Sequence, residues 1–98
     1  MQNVTTQAVL VQARMDGADL TGADLRQVIA HGSRWRGAYL GDACLDEAEL
    51  PRADFSDAEL PGIRAEHLDL SGARLRNADL EKATLPGVDP TEAQLGAA

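Results

Sequence analysis

Apolar residues return at every fifth position along most of this chain, from Leu10, Met15, Leu20 and Leu25 through Ala30, Trp35 and Leu40 to Leu75, Leu80 and Leu85. Two residues before each stands a small one, usually alanine (Ala8, Ala13, Ala18, Ala23), with Val28, Ser33, Ile63 and Leu68 as departures. Sixteen steps run without an insertion. A helix advances about 100° per residue, so positions five apart scatter around its axis. A strand alternates its faces, so positions five apart point to opposite sides. Neither element holds this series on one face, and the chain must change direction within each repeat. The small residue and the large one are two apart, which is strand spacing. The remaining residues therefore form a corner, and the architecture is built by stacking.

The corner composition agrees. Two residues after the large apolar centre stand Gly17, Gly22, Gly32, Gly37, Gly62, Gly72 and Gly87, and one residue after it stand Pro51, Pro61 and Pro86. Proline presets the first corner angle of a turn and glycine permits the positive φ that follows. Inward residues in so narrow a coil must match volume for volume. Ala65 is a small centre between the large Ile63 and Leu68, and Trp35 is an oversized centre after the small Ala30 and Ser33.

The units Ala18-Asp19-Leu20-Thr21-Gly22, Ala23-Asp24-Leu25-Arg26-Gln27, Ala53-Asp54-Phe55-Ser56-Asp57 and Ala78-Asp79-Leu80-Glu81-Lys82 resemble the motif of the pentapeptide-repeat family, and looser matches cover Ala8 to Val88. The resemblance implies an all-β fold, a right-handed quadrilateral β-helix with four repeats per coil. Residues twenty apart would then stack about 4.8 Å apart, in about four coils making a rod about 20 Å long. The expected organisation is a lead-in over 1–7, a β-helix over 8–88 and a C-terminal cap over 89–98. Asp89, Pro90 and Glu92 form a helix-start pattern, which predicts a short capping helix over Pro90–Gln94.

Net charge is −7 with 16 Asp and Glu against 9 Lys and Arg, which disfavours direct nucleic-acid binding. No apolar run is long enough for a membrane span, and the first residues lack a signal-peptide pattern, so the expected location is cytoplasmic. A single cysteine, Cys44, allows no internal disulfide and reads as an inert outward thiol. His31 and His67 read as surface residues. No residue set suggests a metal site, a cofactor or a catalytic pair, and the expected protein is not an enzyme.

The candidate surfaces are three. Val9, Val11 and Ile29 form an outward apolar patch at the N-terminal end, a candidate contact for a second copy or another protein. Arg14, Arg34 and Arg74, with Arg36 and Arg76 nearby, define a candidate basic face interrupted by Asp54. Asp19, Tyr39, Glu59 and Asp79, with Asp42 and Glu81, define a candidate acidic face. The expected function is a non-catalytic protein-interaction or scaffolding module for an unidentified protein partner. The alternative, implied by the resemblance, is a DNA-mimicking regulator of a type II topoisomerase of the gyrase-protection, quinolone-resistance kind. A rod of about 20 Å would imitate only about six base pairs, and end-to-end dimerisation would double it.

Overall fold

The structure, a computed structural model, describes residues 9–84. Parallel bridges join residues twenty apart: Val9 to Ile29 to Glu49 to Asp69, and likewise around the coil. A repeat of five and a register of twenty give four sides. Each side is a single bridging residue between corners, and no helix occurs among the described residues. The capping helix expected over Pro90–Gln94 lies outside them, as does the lead-in over 1–7.

The backbone hydrogen bonds follow one rule per repeat position. The N–H of each large centre reaches the next coil, as Leu20 donates to the Tyr39 carbonyl at 2.7 Å. The N–H two residues later does the same, as Gly22 donates to Gly41 at 2.8 Å. The residue before the centre donates to the preceding coil, as Tyr39 does to Ala18 at 2.8 Å. The small residue closes the turn behind it, as Ala23 donates to Leu20 at 3.0 Å. The turn bond is missing, among the described residues, only at Ile63 and Leu68. Both are large side chains in a slot built for alanine, and we attribute the open turns to that bulk.

The turns carry positive φ at their third residue, the signature of type II geometry. Glycine was the expected occupant, yet Gln12, Gln27, Asp42, Glu47, Arg52, Asp57, His67, Asn77 and Lys82 adopt the same left-handed conformation. Inter-coil bonds on both flanks impose it, whatever side chain is present. Gly62 is a stricter case. At φ +70°, a Cβ there would lie 2.5 Å from the Asp42 carboxylate. Gly62→Ala is expected to cost about 1 kcal/mol, read as a lower denaturation midpoint.

Both inward series fill the axis. Trp35, Leu40, Leu50, Ala38, Ala48 and Ala53 are fully buried. Trp35 and Phe55, twenty apart, stack with centroids 5.6 Å apart. The Trp35 Nε1–H donates to Ser33 Oγ at 2.6 Å, and that hydroxyl donates to the Ala30 carbonyl at 2.6 Å. Ser33 is thus more than a small residue making room, because it gives the buried indole its partner. A void of about 10 Å³, lined by Phe55, Ile63, Leu68 and Leu75 among others, is wholly apolar. It sits at the lower limit of the space one water needs and offers no polar partner, so it is dry.

Candidate interaction surface

One backbone N–H per repeat has no place in the ladder, that of the residue just after the centre. The aspartates of the repeat motif take it. Asp19 accepts from the Thr21 N–H at 3.2 Å, Asp24 from Arg26 at 3.2 Å, Asp54 from Ser56 at 3.0 Å and Asp79 from Glu81 at 3.0 Å. Asp69 does the same for Ser71. At two corners that lack it, an aspartate of the preceding coil substitutes: Asp16 accepts from Arg36 and Asp46 from Glu66, each at 2.9 Å. Proline at Pro51 and Pro61 removes the donor altogether.

These bonds favour the ionised carboxylates. The Arg26 side chain, then its N–H, holds the Asp24 pKa down to about 2. The Thr21 hydroxyl and N–H lower that of Asp19, and the Glu66 N–H lowers that of Asp46. At Asp54 burial works in the opposite direction, but the Ser56 hydroxyl and N–H with Arg36 and Arg74 outweigh it, and its pKa is lowered too. The unfolded chain therefore binds more protons than the folded one in acid, and stability rises with pH there. The contribution is fully present above the unfolded aspartate value of about 3.9 and is lost as pH falls through the folded values, about 2 for Asp24. Denaturant midpoints are expected to hold from neutral pH to about 5 and fall steadily below about 4.

The outward residues form four columns. Val9, Ile29, Glu49 and Asp69 share one; Arg14, Arg34, Asp54 and Arg74 the next; Asp19, Tyr39, Glu59 and Asp79 the third; Asp24, Cys44, Arg64 and Thr84 the fourth. Arg36 and Arg76 sit at the corner after the arginine column, and Asp42 and Glu81 at the corner after the acidic one. Val9 and Val11 are 63% and 51% exposed, Ile29 is partly covered, and Tyr39 is 46% exposed. Cys44 is a free, half-covered thiol.

Ion pairs recur at a spacing of eighteen residues, from a corner to the neighbouring column one coil away. They are Arg34 with Asp16 at 3.2 Å and Arg36 with Asp54 at 3.8 Å, and at the same spacing His31 Nε2 and Glu49 Oε1 share a hydrogen bond of 3.0 Å. Sequence reasoning missed all three. Opposite charges eighteen apart were the available signal, legible only once the register of twenty is known. Among the described residues no group of three or more His, Cys, Asp or Glu side chains could hold a metal ion. No described helix is long and apolar enough to cross a membrane.

The repeat geometry finds its match among known proteins. The Pentapeptide repeats family matches in eight copies, over residues 6–27, 36–72 and 54–89. This chain belongs to the pentapeptide repeat family. The fold of that family is the right-handed quadrilateral β-helix, in agreement with the four columns here. The pentapeptide repeat protein Rfr23 from the cyanobacterium Cyanothece 51142 is similar at 28% identity and a TM-score of 0.87, covering 90% of this chain and 60% of its own. A pentapeptide repeat protein from the Arabidopsis thaliana thylakoid lumen is similar at 28% identity and a TM-score of 0.58, covering 89% of this chain and 63% of its own. QnrB1, a plasmid-mediated fluoroquinolone resistance protein, shares the fold at 19% identity and a TM-score of 0.51, covering 91% of this chain and 68% of its own. This chain thus spans about three fifths of the length of the first two. A search of curated proteins returned no match.

Proposed function

We propose that this protein is a non-catalytic interaction or scaffolding module that binds another protein through the outside of its rod. The observation that carries this reading is the filled axis. Among the described residues the axis is occupied by buried side chains, with a void of only about 10 Å³ beside Phe55 and Leu75, so the outer columns are what a ligand can address. A backbone ladder on every side keeps those columns in fixed register, as rigid display requires. On this reading the rod has about four coils, a short helix over Pro90–Gln94 covers its C-terminal end, and the end carrying the exposed Val9 and Val11 beside the partly covered Ile29 offers an apolar contact for a partner or a second copy.

The test is capture from a lysate of the source organism. Immobilised protein is expected to retain a specific partner that Val9→Asp, or charge reversal on one face, releases while the fold persists. Retention of nothing, or retention indifferent to every outward substitution, refutes the reading.

A second reading is favoured by the acidic column of Asp19, Glu59 and Asp79. QnrB1 is a fluoroquinolone resistance protein, and an acidic rod imitating duplex DNA toward gyrase would act in that sense. The arginine column on the adjacent side breaks the anionic surface that such mimicry needs. A gyrase supercoiling assay decides: no inhibition and no protection from quinolones at micromolar protein removes it.

A further inference from the structure

Charge is segregated onto two adjoining sides of the rod. The arginine column and its two corners hold Arg14, Arg34, Arg36, Arg52, Arg74 and Arg76 against Asp16, Asp54 and Asp57, a local excess of three positive charges in a chain of net −7. The next side and its following corner hold Asp19, Asp42, Glu59, Asp79 and Glu81 against Lys82 alone. Among the described residues Arg14, Arg74 and Arg76 make no ion pair, so the basic side is not neutralised from within.

We propose that the arginine side docks onto the acidic, Tyr39-bearing side of a second copy, and that the contact closes a ring of four parallel rods. Closure follows from the fold. Complementary surfaces at different places on one molecule make head-to-tail contacts, which form a ring when the rotation between the surfaces divides a full turn. Here the two surfaces are neighbouring sides of a four-sided coil, at right angles, and the ring closes after four copies.

The register supports the pairing level by level. Neighbouring sides of one coil differ in height by a quarter of the coil rise, about 1.2 Å. Parallel rods side by side therefore bring Arg14 to Asp19, Arg34 to Tyr39 and Arg74 to Asp79 of the next copy. An arginine over an exposed tyrosine ring gains a cation–π contact. The remaining level opposes Asp54 to Glu59. There Asp54 is already held by Ser56 and lies near Arg36, and Arg36 and Arg52 at the flanking corners supply the compensating charge. Each contact is only about 19 Å tall and mostly ionic, so the assembly is weak singly and sensitive to salt. A closed ring gives every copy two contacts, which offsets this.

The inference rests on reading the outside of the rod as its working surface. Sedimentation of the full chain is the test. At about 0.02 M salt a species of four times the 10.4 kDa chain mass is expected, and at about 0.5 M salt the single chain. Arg14→Glu/Arg74→Glu and Asp19→Arg/Asp79→Arg are each expected to be monomeric alone, and an equimolar mixture of the two to assemble again, since each supplies the side the other needs. If the aspartate variant fails to fold for want of its turn acceptors, the arginine variant carries the test alone, because those side chains make no ion pair within the described rod and Arg74 acts on Asp54 only at longer range. A wild type that stays single at low salt, a mass other than four chains, or assembly unchanged by salt and by Arg14→Glu/Arg74→Glu overturns the ring. Such a result leaves partner capture by outward residues standing, so the two readings fail separately.

Discussion

Replacing Trp35 with alanine is expected to lower stability by about 3–5 kcal/mol, the largest effect of any single truncation in this chain. The indole is the biggest side chain on the axis and is fully buried. It stacks on Phe55 with an interplanar angle of 16°, a contact that adds to its burial. Its loss also removes the donor that satisfies Ser33. The narrow coil cannot collapse onto the cavity, because inter-coil hydrogen bonds hold every side at a fixed distance from the axis. Against a total of about 5–15 kcal/mol for a domain of this kind, the variant sits near the limit of folding. Each kcal/mol corresponds to about 4–8 °C at this size, so the thermal midpoint should fall by tens of degrees. Ser33→Ala separates the two causes. It keeps the ring and strands its N–H without a partner, at a cost of about 1–3 kcal/mol. A Trp35→Ala midpoint within a few degrees of wild type would contradict the filled axis.

The period of five made the inward series and the corners legible, because no continuous helix or strand reproduces it. The number of sides was not in that period. It entered with the family resemblance, and the bridges from Val9 to Ile29 and from Asp19 to Tyr39 establish the register of twenty. Once the register is known, the arginine and acidic columns follow by counting. What counting could not supply was the role of Asp19, Asp24, Asp54 and Asp79. They read as outward charges, whereas each accepts the one backbone N–H that the ladder leaves over. That role appears only when donors are accounted for one by one. Ser33 was legible as small and not as the indole's partner, since the direction of a hydroxyl is not in a pattern of sizes. The corners were legible too narrowly: glycine marks a left-handed residue, but His67, Lys82 and seven other non-glycine residues show that its absence does not exclude one. The surface columns belong to a different level again. Their composition is readable, while the partner they meet depends on a second surface.

Leu68→Ala and Ala65→Leu are expected to harm the rod singly and largely to cancel together. Leu68 occupies a slot that usually holds alanine, and Ala65 a slot that usually holds leucine. Both side chains are buried, and Leu68 and Ile63, on either side of Ala65 in the chain, line the coil's apolar void. Truncating Leu68 enlarges that void of about 10 Å³ and should cost about 2–5 kcal/mol, because the ladder prevents relaxation. Ala65→Leu adds methylenes where Ile63 and Leu68 already fill the space, at about 1–3 kcal/mol. The double variant conserves the buried volume and returns both positions to the ordinary repeat. It also removes the bulk to which the open turn between Ala65 and Leu68 is attributed, so a hydrogen bond found at other turns can form. Its stability should lie within about 1.5 kcal/mol of wild type, as volume-conserving exchanges do. The coupling between the two sites should exceed about 1 kcal/mol in denaturant titrations of all four proteins. Simple additivity would mean that Ala65 and Leu68 do not share one packing constraint, and that the departures from the repeat are independent accidents.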